Sequence, residues 1–446
     1  MNHNIAANRR LDRYTTVFLT LYLAATEAFG ALPSLDARVI SDSEEPFDRR
    51  IYSYDMDVDS NNDVHILYSR PTDAGADQIV YRRRVGGTWR PEQVLSNDGL
   101  RTSISNHLLI DDKGLVHVCY LRQSTEHLYY RQVINGIPRP EVMVDEGAWH
   151  TRMQLDETGR PLFLREDETW PEQVSKLTLL ITTDLTTWDE HYLGIADVSR
   201  FRLADFVYED GVYHVTYGDS SLTQLVLAGK GSTNHIDGTF HKLFYTSSPD
   251  GRKWSTTLLD DAGNLYENEF WTTLAVDGGT PLVGAYQYAE YDGLYNTGTW
   301  ALLALRQGDI WEKRNITPAN YEATRAGASI AILVRSPGEY LGIWDFSPDN
   351  TYDGGFRGAR GNIAIARNGQ DNAWSHKVQL DPFSAEGRIV ARRNGERLHV
   401  LVLGDFVDAK LYYWELDLGV VEARLDAASS GFPWNSFLPA ILGGAR

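Results

Sequence analysis

Cysteine is almost absent from this sequence: Cys119 is the single one among 446 residues, so no disulfide can form within the chain. It lies in an apolar stretch, Val116 to Tyr120, and we interpret it as a small core residue. The cysteine and histidine residues show no spacing typical of a zinc site, so the sequence predicts no zinc ligand set.

Positive charge is also scarce. The chain has 42 Lys and Arg against 61 Asp and Glu, a formal net charge of −19. Repulsion at long range argues against general binding to nucleic acid or to an anionic membrane surface, although a local basic pocket for an acidic ligand remains compatible with it. Beyond the N-terminus, no apolar run is long enough to span a bilayer.

The N-terminal segment, residues 1–35, has two interpretations. Three arginines precede an apolar run, 14–25, and small residues follow it up to Ala31. This order is typical of a secretory signal, which would make the mature protein extracellular or periplasmic. The alternative is an N-terminal segment that packs on the folded domain.

A repeated unit fills the rest of the chain. An apolar strand, a tight turn and a second apolar strand recur, and a third and a fourth strand follow, often with Trp at their turn. High counts of Tyr (24) and Trp (12) favour sheet surfaces over helices. The turns of the seven units are marked by Asp63, Gly114, Gly159, Gly211, Gly278, Gly338 and Gly395.

Two further details support the repeat. The segments GGTWRPEQVL (86–95) and NGIPRPEVMV (135–144) match nearly position for position and share the triplet Arg-Pro-Glu. The seventh unit shows three clear strands, and a fourth could come from 420–426 or from the N-terminal 36–42. We expect the N-terminal strand, because it would close the ring and remove an exposed sheet edge.

These repeats predict an all-β fold, a seven-bladed β-propeller with four-stranded antiparallel blades. The expected propeller occupies 36–426, and residues 427–446 form a C-terminal tail.

One turn carries a family resemblance. The stretch from Ser248 to Trp254, SPDGRKW, resembles the Asp box of sialidase-like BNR-repeat propellers, with one residue fewer between Asp250 and Gly251. In such a turn Asp caps backbone amides, Gly takes a positive φ and Trp packs between blades, so the resemblance implies a fold and no catalysis.

The superfamily contains sialidases, ulvan-lyase-type polysaccharide lyases, rhamnose-releasing enzymes and sugar-binding modules. Arg50 sits roughly where sialidases carry a carboxylate-binding arginine, but Tyr52 replaces the proline of their Arg-Ile-Pro motif. The seven blades match the ulvan-lyase type. At the positions of the fourth repeat where that type carries a Tyr-Arg pair, however, this sequence has Arg202 and Gly218. The resemblance therefore reaches the superfamily and no single family in it.

Propeller geometry predicts where a site would lie. The starts of the first strands and the connections between second and third strands share one face, and those connections are long: 69–78, 121–127, 165–175, 218–240, 286–298, 344–362 and 403–409. Long loops at one end of a rigid scaffold usually carry function.

Residues that open the first strands should converge near the axis on that face. His150, Arg202 and Glu269 lie about nine residues before their turns. Our catalytic candidates are His150, Arg202 and Tyr54. The substrate-binding candidates are Arg200, Glu269, Tyr288, Tyr291 and Arg50.

This set fits β-elimination of a uronic-acid polysaccharide. An arginine can neutralise the carboxylate, and a His or Tyr can move the proton. Glu269 instead fits a glycoside hydrolase of the sialidase-like or rhamnose-releasing type, and the loop tyrosines would also suit a non-catalytic glycan-binding propeller. Each candidate also has a structural alternative: an inter-blade hydrogen bond for His150, a buried ion pair for Arg200 and Arg202, and a cap for Glu269.

The first hypothesis is a secreted, monomeric polysaccharide lyase whose partner is an acidic polysaccharide or oligosaccharide, with no nucleic-acid or membrane partner. The sequence identifies no certain cofactor. The acidic loop with Asp345, Asp349 and Asp353 is a candidate for a structural Ca²⁺, although its ligand spacing is irregular.

Overall fold

The structure, a computed structural model, describes most of the repeat region. The described residues are 38–39, 53–71, 77–96, 105–122, 125, 127–148, 150–169, 174–194, 201–221, 240–260, 272–288, 299–308, 310–315, 325–347, 362–368, 377–380, 388–403 and 411–429. All of them belong to one compact unit, Ala37–Arg446. The signal-like segment 1–35 lies outside them.

Seven antiparallel sheets follow one another along the chain, as the repeats predicted. Strand β1 (Arg38–Val39) comes first. Blade 1 contains β2 (Tyr54–Val58), β3 (Val64–Pro71), β4 (Asp77–Val85), β5 (Thr88–Trp89) and β6 (Gln93–Ser96). Blade 2 contains β7 (His107–Ile110), β8 (Val116–Arg122), β9 (His127–Ile134), β10 (Ile137–Pro138) and β11 (Val142–Glu146). Blade 3 contains β12 (His150–Leu155), β13 (Pro161–Thr169), β14 (Val174–Thr182) and β15 (Trp188–Tyr192).

The remaining blades keep the same order. Blade 4 contains β16 (Phe201–Glu209), β17 (Val212–Ser221), β18 (Phe240–Ser248) and β19 (Ser255–Asp260). Blade 5 contains β20 (Thr273–Asp277), β21 (Thr280–Tyr288), β22 (Thr299–Gln307) and β23 (Ile310–Asn315). Blade 6 contains β24 (Arg325–Ser336), β25 (Glu339–Ser347), β26 (Asn362–Arg367) and β27 (Lys377–Gln379). Blade 7 contains β28 (Val390–Asn394), β29 (Arg397–Leu403) and β30 (Leu411–Asp417).

The first strands of the blades form a closed ring. Each contacts the first strand of the next blade, in the order β2, β7, β12, β16, β20, β24, β28 and back to β2. The first strand of every blade is therefore innermost, and the fold is a seven-bladed β-propeller. The first and second strands are joined by turns as short as 210–211, whereas the connection from second to third strand in blade 4 spans 222–239. The second-to-third connections are long in blades 4 to 7, as expected. In blades 1 to 3 the strands extend into the predicted loops, and the connections (72–76, 123–126 and 170–173) are no longer than the first turns of the same blades (59–63, 111–115 and 156–160).

The N-terminal strand completes the seventh blade. β1 pairs antiparallel with β30, through Arg38 opposite Tyr413 and Val39 opposite Tyr412. This confirms the expected N-terminal strand and satisfies backbone groups that would otherwise form an open edge. The alternative, 420–426, is helical.

One helix, α1 (Leu418–Ser429), follows β30 directly. Leu418, Val421 and Leu425 are buried at helical spacing, and the Asp417 carboxylate accepts a hydrogen bond from the amide of Val420, 3.3 Å away. Asp417 thus caps the helix. Apolar and charged residues alternate over 421–426, as they would in a strand, so the sequence pattern did not predict this helix.

Carboxylates of the inner strands join neighbouring blades. Asp55 and Asp57 on β2 accept hydrogen bonds from the amides of Leu108 (3.2 Å) and Ile110 (2.8 Å) on β7. Asp205 on β16 accepts a hydrogen bond from the amide of Leu274 on β20, the first strand of blade 5, 2.8 Å away. Because these amides have no partner within their own sheet on that side, the carboxylates hold the ring together.

The Arg-Pro-Glu triplets noted in the sequence have matching roles in blades 1 and 2. Glu92 accepts hydrogen bonds from the Tyr68 hydroxyl and from Arg70. Glu141 accepts them from the Tyr120 hydroxyl and from Arg122, the latter at 2.7 Å. Each glutamate therefore ties the fourth strand to a Tyr-x-Arg triplet on the second strand.

A buried His–Tyr hydrogen bond recurs in four blades. A histidine near the start of the second strand places Nδ1 2.6–2.7 Å from a tyrosine hydroxyl on the third strand. The pairs are His65–Tyr81, His117–Tyr130, His214–Tyr245 and His399–Tyr413. Burial lowers the pKa of all four histidines, to about 4 for His214 and His399. They are neutral. In His399, Nε2 lies 3.0 Å from Oδ1 of Asn62, so Nε2 carries the hydrogen and Nδ1 accepts a hydrogen bond from the Tyr413 hydroxyl.

These histidines predict a loss of stability in mild acid. A group that stays neutral in the fold takes up a proton only when unfolded, below the ordinary His pKa of about 6.5. The free energy of unfolding should therefore fall as pH falls from about 6.5 towards 4, by up to roughly 1.4 kcal/mol per pH unit for each such histidine. Urea unfolding at several pH values measures it. The variant His214→Gln should show a shallower decline, and a flat profile over this window would contradict the prediction.

Candidate functional site

A small cavity opens between blades 3 and 4 near the axis. Its charged and polar walls come from β12 and β13, and its apolar floor comes from three neighbouring strands. The lining residues are His150, Thr151, Arg152, Leu164, Glu166, Leu177 and Ala204. We refer to it as the blade 3–4 cavity. It lies at the start of a first strand, hence at the end of the propeller that carries the long connections.

His150 is the first residue of β12 and is half-buried. Its Nδ1 lies 3.4 Å from the Ser105 hydroxyl of blade 2, which orients the ring. In the sheet, His150 stands directly opposite Glu166, whose side chain is 4% exposed. An imidazole and a carboxylate, two groups able to exchange protons, thus share one end of the cavity.

Arg152 forms the cationic wall and is 7% exposed. Its Nη1 lies 3.2 Å from Nε2 of His107, and its Nε lies 3.4 Å from the carboxylate of Asp205. Burial, followed by the positive charge of Arg388, lowers the Arg152 pKa to about 10, which keeps it charged at neutral pH. The cavity therefore contains a buried positive charge.

Arg152 belongs to a cluster of ionisable groups drawn from five blades. We define the axial cluster as Asp55, His107, Arg152, Asp205 and Arg392. His107 Nδ1 lies 3.2 Å from Asp55, and Nη2 of Arg392 lies 3.5 Å from the same carboxylate. The cluster connects the first strands of blades 1, 2, 3, 4 and 7, so it fixes where Arg152 stands.

The charges of the axial cluster shift one another's protonation. Burial alone would raise the pKa of Asp55, but the His107 hydrogen bond and the charges of Arg388 and Arg392 together bring that pKa well below its ordinary value. Burial lowers the pKa of His107 to about 4, against the opposing effect of Asp55. At neutral pH the carboxylate is ionised and the imidazole is neutral.

The backbone of blade 4 is irregular beside the cavity. Arg202 pairs with Gly218 and Asp205 with Thr216, so β16 has one extra residue between these pairs. Bulges of this kind redirect side chains and are common next to active sites. The irregularity lies beside Ala204, which lines the cavity. The backbone of Arg202 is thus close to the site, while its side chain is outside the described part.

Tyr54 is buried, and its hydroxyl bonds to blade 7. It donates to the carbonyl of Arg388 and accepts from the amide of Leu403, 3.1 Å away. These hydrogen bonds join blade 1 to blade 7, so the hydroxyl of Tyr54 has a structural role. Tyr288 is the last residue of β21 and pairs with Thr299; its side chain is not described.

The other candidates fall elsewhere. Arg50, Arg200, Glu269 and Tyr291 lie outside the described residues. So do Asp349 and Asp353 of the acidic loop and the side chain of Asp345. Within the described part of the chain, no three or more His, Cys, Asp or Glu side chains are grouped to hold a metal ion. There too, no helix is long and apolar enough to cross a membrane.

Sequence reasoning missed Glu166 and underrated Arg152 and His107. Arg152 shares its strand face with His150, two residues on, which is a signal that the period of a strand provides. Glu166 lies near the end of a second strand in the charged run Arg165-Glu166-Asp167, where an apolar residue would be expected of a core strand. Charges inside apolar strands could have identified both.

No protein family model matches the sequence. None of the curated proteins compared with it is a match. Solved structures do resemble the fold. An ulvan lyase, described as a member of a new polysaccharide lyase family, superposes with a TM-score of 0.51 at 12% identity, over 86% of this chain and 99% of that one. A second structure of the ulvan lyase, described as "bound to -[GlcA(1-4)Rha3S]-", superposes with a TM-score of 0.50 at 12% identity, over the same 86% of this chain and 99% of that one.

Hydrazine synthase of Kuenenia stuttgartiensis superposes with a TM-score of 0.52 at 7% identity, over 86% of this chain and 100% of that one. A protein named for a different reaction thus superposes as well as the lyases do. These likenesses confirm the fold expected from the repeats and from the superfamily resemblance, and they leave the reaction to be argued from the site.

Proposed function

We propose that this protein is a carbohydrate-active enzyme, a polysaccharide lyase that cleaves a uronic-acid-containing glycan by β-elimination at the blade 3–4 cavity. The observation that carries the proposal is the arrangement of His150, Arg152 and Glu166 around one small cavity, at the start of the first strand of blade 3. A proton acceptor and a cation side by side are what this reaction needs.

The reaction requires three events at the sugar. A cation pairs with the uronate carboxylate and makes the C5 proton more acidic. His150 takes that proton, the electron pair forms the C4–C5 double bond, and the C4–O bond breaks. The leaving oxygen takes a proton from an acid. Arg202 and Arg200 remain our candidates for binding the carboxylate. Leu164, Leu177 and Ala204 belong to the buried core between blades 3 and 4 and close the cavity on that side.

The ulvan lyase structure with bound glucuronic-acid-containing oligosaccharide supports this substrate class by analogy of fold. Tyr54 braces two blades in this proposal and does not touch the sugar. Tyr288 and Tyr291 would stack on sugar faces further along the chain of the glycan. The N-terminal segment, if it is a secretory signal, would place this activity in the extracellular or periplasmic space.

The test is to mix the full-length protein with a panel of uronic-acid polysaccharides and to follow ultraviolet absorbance. We expect a rise, because elimination leaves an unsaturated, conjugated uronate. Release of reducing ends without that rise would replace the lyase with a hydrolase. Binding of the glycan with neither signal would overturn the enzyme proposal in favour of a glycan-binding propeller.

Glycoside hydrolysis is the second candidate function, and Glu166 favours it. A buried carboxylate on the wall of a cavity can serve as the acid of a glycosidase, which needs a second carboxylate as base or nucleophile. Glu269 is our candidate for that second group. Glu166→Gln separates the two functions: it should abolish hydrolysis, whereas elimination through His150 should persist at a reduced rate.

A further inference from the structure

Two arginines of blade 1 lie opposite each other beside the turn that follows the third strand. Trp89 pairs with Arg84, and the next amide along the chain, that of Arg90, donates to the carbonyl of Arg83, 2.8 Å away. Arg90 therefore comes opposite Arg83, and side chains in such positions project from the same face of a sheet with Cβ atoms about 5 Å apart. We refer to Arg83 and Arg90 as the blade 1 arginine pair.

The blade 1 arginine pair is not joined to a carboxylate. Arg83 is half-buried and Arg90 is exposed, and among the described residues neither guanidinium is in an ion pair. Asp59 and Asp63, in the first turn of the same blade, each accept backbone amides at 2.9 Å instead. Like charges directly opposite each other destabilise a sheet. An anion bound by both guanidinium groups would relieve this repulsion.

A shortage of carboxylates does not explain the missing partner. The chain has a net charge of −19, so acidic residues are in excess. Other arginines of blades 1 and 2 have found acidic partners: Arg70 with Glu92, Arg84 with Glu415 and Arg122 with Glu141. Two adjacent arginines left unpaired in such a chain form a local basic site, and arginine is suited to bind carboxylate and sulfate groups.

Blade 2 leaves room for the pair and extends the basic surface. A side chain at Gly136, in the turn between β9 and β10, would come within 3.5 Å of the Arg83 guanidinium, so glycine keeps this space open. Arg139 is exposed and repeats the place of Arg90, since its amide donates to the carbonyl of Gln132 at 2.8 Å. A third exposed arginine thus lies on the neighbouring blade.

The pair and the blade 3–4 cavity lie at opposite ends of the propeller. Consecutive strands of a blade are antiparallel, so the turn after the third strand lies at the same end as the turn after the first strand. The cavity lies at the other end, where a first strand starts. A ligand on the arginine pair therefore leaves the cavity free.

We propose that Arg83 and Arg90 form a binding site for the acidic groups of a polysaccharide, separate from the blade 3–4 cavity. Each guanidinium can donate two hydrogen bonds to a carboxylate or a sulfate group. Duplex nucleic acid carries one charge per about 1.7 Å, so a chain of net charge −19 repels it strongly at long range. The choice of a glycan as the carrier of the anion rests on the proposed function, whereas the anion site itself does not.

The first measurement is retention of the full-length protein on an immobilised uronic-acid polysaccharide. Arg83→Gln/Arg90→Gln should raise the dissociation constant about tenfold or more, because losing one charge-assisted hydrogen bond already corresponds to roughly tenfold. The matched control is Arg252→Gln/Lys253→Gln, which removes two adjacent exposed cations of blade 4 and changes the net charge equally. Equal effects of the two double variants would overturn the site.

Three further probes identify the ligand. The same glycan with its carboxyl groups reduced to alcohols should be retained equally by the wild type and by Arg83→Gln/Arg90→Gln. Inorganic phosphate and duplex DNA should bind more weakly than the polysaccharide. Phosphate or DNA binding that is as tight as the glycan, and that is lost in the double variant, would overturn the glycan as the ligand.

A measurement without ligand tests the repulsion within the pair. Arg90→Gln should raise the urea midpoint of unfolding at low ionic strength, and the increase should shrink as salt screens the charges. Arg252→Gln should change the midpoint little. A lower midpoint for Arg90→Gln would mean that Arg90 stabilises the fold, and would overturn its assignment to a ligand site.

Elimination from a short oligosaccharide separates this proposal from the proposed function. Its rate should be the same in the wild type and in Arg83→Gln/Arg90→Gln, because the pair is remote from the cavity. Selective loss of glycan retention in that variant, with no elimination by any form of the protein, would keep the arginine site and overturn the lyase. Elimination with unchanged retention would do the reverse.

Discussion

Replacing His150 with alanine should reduce elimination of a uronic-acid polysaccharide by at least about 100-fold while leaving the free energy of unfolding almost unchanged. The loss follows from removing the proton acceptor, since general bases contribute roughly 10²–10⁴-fold. The small effect on stability follows from the position of His150, which is half-buried at the very start of β12 and touches Ser105 at 3.4 Å, a long contact. Initial rates by ultraviolet absorbance and urea unfolding measure the two quantities.

The matched control is His117→Ala in the neighbouring blade. His117 is fully buried, bonds to the Tyr130 hydroxyl at 2.7 Å and lies outside the cavity. Its removal leaves a buried hydroxyl without its acceptor, so it should lower stability by about 1–3 kcal/mol. The rate per folded molecule should stay near that of the wild type. If His150→Ala behaved like His117→Ala, with stability and activity lost together, His150 would be a structural residue.

The fold could be predicted from the sequence because the same strand-turn-strand pattern recurs in all seven blades. Each of seven turn markers, from Asp63 to Gly395, signals the same pair of strands, so errors at one unit do not change the result. The Arg-Pro-Glu triplets were visible as a repeat, and Glu92 and Glu141 do occupy matching places. The helix after β30 was missed, because seven residues of mixed apolar pattern carry too little periodicity to separate helix from strand.

The site was harder to predict, since its members come from different repeats. His150 could be placed at the axis by its offset from a turn, a rule that holds within one blade. Its neighbours Ser105 and Asp205 belong to blades 2 and 4, and only the closed ring brings them together. The His–Tyr pairs were a missed signal of the easier kind: His65, His117, His214 and His399 stand at the same place in four repeats.

Asp55→Asn and Asp57→Asn should have very different effects on the free energy of unfolding, although Asp55 and Asp57 both lie on β2 and each accepts a hydrogen bond from a backbone amide of β7. Asp55 is 1% exposed and its charge is set against His107, Arg388 and Arg392, so the ionised form is the stable one. Neutralising it leaves the buried Arg152 and the half-buried Arg388 and Arg392 without this counter-charge, which costs about 3–5 kcal/mol. Asparagine can still accept the Leu108 amide, so the loss reports the charge.

For Asp57 the balance is reversed. Burial raises the pKa of Asp57 more than the positive charge of Arg392 lowers it. The ionised carboxylate therefore destabilises the fold at neutral pH. Asparagine keeps an acceptor for the Ile110 amide and removes that burden, so Asp57→Asn should change the free energy of unfolding by about 1 kcal/mol or less. Urea unfolding of both variants at pH 7 measures the difference.

The pH dependence of the Asp55 effect has a definite sign. A carboxyl whose folded pKa is depressed contributes stability above its unfolded pKa, about 3.9, and loses it as pH falls further. The gap between wild type and Asp55→Asn should therefore be full at pH 7 and should narrow below about pH 4. Similar costs for the two variants at pH 7 would mean that both aspartates act only as hydrogen-bond acceptors. In that case the axial cluster would not be held by charge, and Arg152 would owe its position to packing alone.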